Sequence, residues 1–122
     1  MNRIEYEERA KVYQQAIELY GAEAQIHMVI EEMSELTKEL CKSFRPGGTT
    51  LEKIADECAD VTIMMEQLRL IFDFNDLVCE HMDAKVERLM GRIERDWKYD
   101  PTGKGDSGAS AGAEEAEERA PA

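Results

Sequence analysis

One short pattern of acids occurs twice in this chain. Glu31-Glu32-Met33-Ser34-Glu35 and Asp56-Glu57-Cys58-Ala59-Asp60 both read acid, acid, apolar, small, acid. On a helix, residues three apart are neighbours on one face. Glu32 with Glu35, and Glu57 with Asp60, therefore form two matched pairs of carboxylates. Like charges held that close repel and raise one another's pKa, and a divalent cation relieves the repulsion. An all-oxygen donor set suits Mg²⁺, or Mn²⁺ in its place, with several waters kept on the ion. In a chain with 27 acidic residues a single such pair reads as a solvated helix face. The repetition carries the metal reading.

A second stripe has the opposite sign. With Val86 as zero on a helical wheel, Lys85 lies near −100°, Arg88 near −160° and Arg92 near −120°. His81 falls on the same stripe. Cations beside a metal-carboxylate site suit a polyphosphate, whose oxygens the metal and the Lys or Arg side chains neutralise together. The bland alternative is a solvated face paired with acids of another helix or subunit. Arg95 and Lys98 read as ordinary surface charge.

These residues need helices to position them, and the chain supplies four. The first is predicted over about Ile4 to Tyr20, with Tyr6, Ala10, Tyr13, Ile17 and Tyr20 on one stripe and Gly21 ending it. The second runs from about Ala22 to Ser43, with Ile26, Val29, Ile30, Met33, Leu36, Leu40 and Phe44 on its apolar side. Arg45-Pro46-Gly47-Gly48 breaks it. Thr49 or Thr50 caps the third, which runs to about Phe72. Thr50 with Lys53 is not a full capping box, whereas Thr49 with Glu52 has that pattern. The inner face of the third is Leu51, Ile54, Cys58, Val61, Met65, Leu68 and Phe72. Asn75 or Asp76 caps the fourth, built to about Trp97 on Val78, Met82, Val86, Leu89 and Ile93. The fold class is all-α, with Met33 and Cys58 at the centres of their helices' core faces.

The same wheels locate the acids. With Met33 and Cys58 as zeros, Glu32 and Glu57 both lie near −100°, and Glu35 and Asp60 near −160°. Both pairs thus flank their apolar stripes on the same side. A short helical hairpin turning near Gly47 and Gly48 pairs residues whose numbers total about 95. That leaves the two acid pairs about three residues, or roughly 4.5 Å, out of level. Four carboxylates can converge.

Composition narrows the function. The 122 residues suffice for one modest domain with a limited core, so partner subunits are expected. A net charge of −12 disfavours non-specific binding to nucleic acid or to anionic membrane. No apolar run approaches a membrane helix, and the charged first nine residues lack the core of a signal peptide. Three widely spaced cysteines, Cys41, Cys58 and Cys79, without a CxxC pair, argue against zinc and for reduced packing residues in a cytoplasmic protein. From Thr102 onward no aromatic or large aliphatic residue occurs. Residues 1–100 therefore read as the domain and 101–122 as a disordered, acidic tail rich in Gly, Ala, Ser and Glu.

Glu31-Glu32-x-x-Glu35 followed by Glu57-x-x-Asp60 resembles the EExxE…ExxD signature of the MazG-like nucleoside triphosphate pyrophosphohydrolases, an all-α superfamily. Gly21-Ala22-Glu23-Ala24-Gln25 and Lys85-x-x-Arg88 are similar to flanking stretches of that group. The likeness covers about residues 10 to 95, and the tail has no counterpart. It implies a four-helix bundle, assembled as a dimer or tetramer. The implied reaction is Mg²⁺-dependent hydrolysis of a nucleoside or deoxynucleoside triphosphate between the α and β phosphates, in a house-cleaning role. Carried over by position, Glu32, Glu35, Glu57 and Asp60 would hold the metal. Glu31 would be an outer or water-activating carboxylate, which makes five candidate catalytic acids. Lys85 and Arg88, with Arg92, would contact the triphosphate. Tyr13, Gln25 and Met28 are weaker candidates for the nucleoside, beside Gln14 and Trp97. Two other readings stand: the related phosphoribosyl-ATP pyrophosphohydrolase, and a non-catalytic bundle that binds a metal or a protein partner.

Overall fold

The computed structural model of the chain describes residues 3–98. The tail expected from 101 to 122 lies outside them. Four helices follow one another: α1 Tyr6–Tyr20, α2 Ala22–Ser43, α3 Leu51–Phe72 and α4 Asn75–Lys98. The fold is all-α. One compact unit reaches to Asn75 and a second begins at Asp76. No helix among the described residues is long and apolar enough to cross a membrane.

Local chemistry explains the boundaries. Gly21 serves both α1 and α2. Its N–H closes α1 on the Ile17 carbonyl at 2.9 Å, and its own carbonyl accepts from Gln25 N at 3.2 Å to start α2. Its φ of 92° is one that glycine adopts without steric cost. At the break between α2 and α3, a Cβ on Gly48 would stand 2.1 Å from the Lys42 carbonyl oxygen, so a larger residue would displace backbone. Thr50, not Thr49, caps α3, accepting from Lys53 N at 3.2 Å. The Thr49 hydroxyl instead donates to Glu39, which also receives Lys42 at 3.3 Å. The capping-box spacing of Thr49 and Glu52 is thus overridden by a carboxylate from the preceding helix.

Within the first unit, α2 and α3 form the main antiparallel pair and α1 packs on both. The register is read from Gln25 Nε2, which donates to Gln67 Oε1 at 2.8 Å. Facing residue numbers therefore total 92 rather than the 95 expected of a turn centred on Gly47 and Gly48. At 92 the midpoints of the two acid pairs are level. The faces also differ from expectation. The residues that α2 turns inward are Gln25, Val29, Glu32, Leu36 and Glu39, and those of α3 are Glu57, Asp60, Val61, Met64, Gln67 and Leu68. Met33 is 50% exposed and Phe44 68%. All three cysteines are free and exposed rather than packed. Both helices are thus turned by about one residue, roughly 100°, from the wheels drawn on Met33 and Cys58.

The described residues bury little. Tyr13, Val29 and Met64 are the buried hydrophobics, and Gln25 and Gln67 the buried polar residues. On α4 no residue is buried, and Met82, Val86, Leu89, Ile93 and Trp97 are each about half-exposed.

Candidate metal centre

The inward turn of α2 and α3 brings acids together. Glu32, from the middle of α2, meets Glu57 and Asp60, one turn apart on α3. Each offers a carboxylate oxygen, and these three oxygens lie within 4.8 Å of one another. All three residues are partly buried. Among the described residues this is the one such group of three. Glu35 lies outside it, on the exposed flank of α2, and Glu31 is exposed as well. The 100° turn of the helix explains the difference. It swings Glu32 into the contact with α3 and leaves Glu35 at its edge.

The electrostatics follow from the crowding. Burial, then the charges of Asp60, Glu57, Glu31 and Glu35, push the Glu32 carboxyl above its ordinary pKa. Burial, then Asp60, Glu35, Asp56 and Glu39, push Glu57 the same way. Glu35 thus acts on both carboxyls through its field although it stands outside the tight group. No Lys or Arg is among the five largest effects on either group. Carboxylates gathered without a counter-ion fit a hard cation, because its charge removes both the repulsion and the desolvation cost. A donor set of oxygens alone suits a hard divalent cation of the Mg²⁺, Mn²⁺ or Ca²⁺ kind.

The other predicted residues are placed as follows. Tyr13 is buried on α1, and its hydroxyl donates to Glu66. Gln25 is buried against Gln67, and Met28 is 36% exposed. Lys85, Arg88 and Arg92 lie on α4 and are exposed, as is His81. A groove of about 460 Å³ runs between the start of α1 and α3, with Arg3, Arg9, Cys58, Thr62 and Ile63 among its walls. It follows the opposite side of α3 from Glu57 and Asp60 and includes none of the three acids.

Two constellations were not foreseen. Gln25 and Gln67 form a buried amide pair, spaced seven residues from Glu32 and Asp60 respectively. Arg9 and Tyr13 converge on Glu66. The first had a signal in the sequence. Gln67 interrupts the apolar run Met64, Leu68 and Ile71, and a polar residue within such a run asks for a partner. The second had none, since Arg9, Tyr13 and Glu66 pair across more than fifty residues. Comparison with protein-family models, with curated proteins and with solved structures finds no match for this chain.

Proposed function

We propose that the chain is a MazG-like nucleoside triphosphate pyrophosphohydrolase, hydrolysing its substrate to a nucleoside monophosphate and pyrophosphate. The observation that carries the reading is the meeting of Glu32, Glu57 and Asp60 from two helices within 4.8 Å. These are three of the four acids that the signature assigns to the metal. Glu35 is the fourth, one turn along α2 from Glu32, exposed and outside the group of three.

In this reading Glu32, Glu57 and Asp60 would hold Mg²⁺, with Glu35 as the fourth acid of the signature. When bound, the ion would lower the pKa of a coordinated water and polarise phosphoryl oxygens. The remaining work falls to the chain. The carboxylates orient the attacking water, and one of them accepts its proton as the oxygen adds to the α phosphorus. Glu31, exposed on α2, is the candidate for that acceptor when the inner acids are engaged. The bond from the α phosphorus to the bridging oxygen breaks, and its electron pair leaves with pyrophosphate. Lys85, Arg88 and Arg92 on α4 would neutralise the phosphates.

The reading extends to assembly. Ile30, Met33 and Leu40 on α2, Phe44 just past its end and the half-exposed stripe of α4 form apolar surface beyond scattered single residues. We read them as surfaces covered by further copies of the chain, in a dimer or tetramer. Light scattering on the purified protein tests this, and a monomer would reject it.

The decisive experiment measures pyrophosphate and monophosphate from a panel of nucleoside and deoxynucleoside triphosphates with Mg²⁺, Mn²⁺ or EDTA. Metal-dependent release of both products supports the reading. No release by folded protein overturns it.

A further inference from the structure

Each helix of the α2/α3 pair could have packed on either of two faces. One carries Ile30, Met33 and Leu40 on α2 with Met65 on α3, and these side chains are left exposed. The other carries Gln25, Val29, Glu32 and Leu36 with Glu57, Asp60, Met64 and Gln67, and it is the one turned inward. Bringing acids toward a helix contact costs free energy. The chain adopts the second within the α2/α3 pair, and a directional interaction across that contact offsets the cost of the acids.

The link between Gln25 and Gln67 has the properties required. It spans the two helices at 2.8 Å, and its residues are 7% and 5% exposed. It also forms in one register only. A slip of one turn sets Gln25 against Met64 or Ile71 and leaves two amides without partners in a nearly dry contact. Seven residues, about 10.5 Å of rise, separate Gln25 from Glu32 along α2, and the same step separates Gln67 from Asp60 along α3. The register that joins the amides is therefore the register that sets Glu32 opposite Asp60. A single buried polar side chain fixes register and partner choice in coiled coils by the same logic.

We propose that Gln25 and Gln67 are positioning residues whose hydrogen bond selects the face and register of α2 on α3, and so assembles the carboxylates. The proposal rests on the metal reading for its functional consequence. It assigns the pair no contact with substrate.

The test replaces both amides by unbranched side chains of similar length, Gln25→Met with Gln67→Met, in the full chain. Replacing both partners of a hydrogen bond by apolar groups of one shape is close to neutral for stability. Cys41 on α2 and Cys58 on α3 are exposed and take nitroxide labels in a Cys79→Ser background, giving an interhelical distance by pulsed electron paramagnetic resonance without metal. Mn²⁺ affinity is measured on unlabelled protein. The expected result is a helical, cooperatively melting double variant with a shifted or broadened distance distribution and Mn²⁺ binding weakened at least about ten-fold, as for the loss of a group that orients metal ligands. Gln25→Glu, which keeps an acceptor for the Gln67 amide, is expected to retain the parental distance. An unchanged distance and unchanged Mn²⁺ affinity in the double variant would overturn the proposal. So would its failure to fold, since the pair would then be a general stabiliser rather than a selector. Failure of the parent chain to bind Mn²⁺ rejects the metal reading instead, and the distance measurement still decides the role of the amides.

Discussion

Two groups of carboxylates on α3 stand in opposite states. Glu66 is satisfied. Arg9 donates to it through Nε at 3.2 Å and Nη2 at 3.1 Å, and the Tyr13 hydroxyl donates as well. Burial alone would raise its pKa, but the bonds from Arg9 and Tyr13 outweigh it and hold the carboxyl below its ordinary value. Two turns earlier, Glu57 and Asp60 face Glu32, and burial and mutual repulsion hold Glu57 and Glu32 above theirs. A chain able to pair one partly buried acid so fully leaves three others facing one another. A satisfied acid ties elements together, here α1 to α3. An unsatisfied group of acids costs stability and is useful only if something else arrives.

The sharpest way to break that comparison is to remove one acid from each group. In the proposed reading, Glu32→Gln or Glu57→Gln removes a direct ligand. Loss of a group that merely orients a ligand lowers metal affinity or activity by about 10–100-fold, so either change is expected to lower Mg²⁺-dependent turnover by more than about 100-fold. Titration calorimetry with Mg²⁺ and the pyrophosphate assay check this. Turnover within a few-fold of the parent would remove these residues from the site.

A smaller effect is expected at the satisfied group. Glu66→Ala leaves the Arg9 guanidinium and the Tyr13 hydroxyl without their partner. The side chains of Arg9 and Glu66 are partly exposed, so solvent takes over some of the lost bonding. A cost near the lower end for charged hydrogen bonds, about 1.5 kcal/mol, corresponds to a thermal midpoint lowered by roughly 6–12 °C. Scanning calorimetry reads it. Mg²⁺ affinity is expected to stay unchanged, and a parallel loss of metal binding would show that the two groups are not separate.

How much of this was open to a reader of the sequence depends on how local each cause is. The four helices were legible because their signals are local: Gly21, the Pro46-Gly47-Gly48 break, and a 3.6-residue apolar period free of proline. The meeting of Glu32 with Glu57 and Asp60 was legible because hairpin geometry brings α2 back along α3. The inward face was not. Met33 and Cys58 mark the most apolar direction of their helices, but an apolar stripe does not say what covers it. Here the flank with Gln25 and Gln67 meets its neighbour and the stripe stays exposed. The cap of α3 stayed open between Thr49 and Thr50 for a related reason, since Glu39, ten residues upstream, takes the Thr49 hydroxyl and leaves the cap to Thr50. The reach of Glu35 depended on that rotation, so its place at the edge of the group could not be read from spacing alone.

The smallest effect tests the sign of the difference between the two groups. A carboxyl whose pKa is raised by folding is protonated in both states below the unfolded value and adds no cost there. As pH rises through the raised folded value, the folded state must carry the charge and loses stability. Glu57→Gln removes that charge. In EDTA it is expected to raise the thermal midpoint by a few degrees at neutral pH, with the gain shrinking as pH falls through the carboxylate range. Glu66 behaves inversely. Its contribution is present above the unfolded value and is lost as pH falls through its lowered folded value, so the deficit of Glu66→Ala narrows at acid pH. Mg²⁺ separates the two once more. An ion at a hundred times its dissociation constant stabilises the folded parent by about 2.7 kcal/mol, and Glu57→Gln forfeits that gain. Its advantage in EDTA is therefore expected to become a deficit in saturating Mg²⁺. Scanning fluorimetry across pH, with and without the ion, reads both signs. A Glu57→Gln chain less stable than the parent in EDTA at neutral pH would mean that these acids are already satisfied within the chain, as Glu66 is.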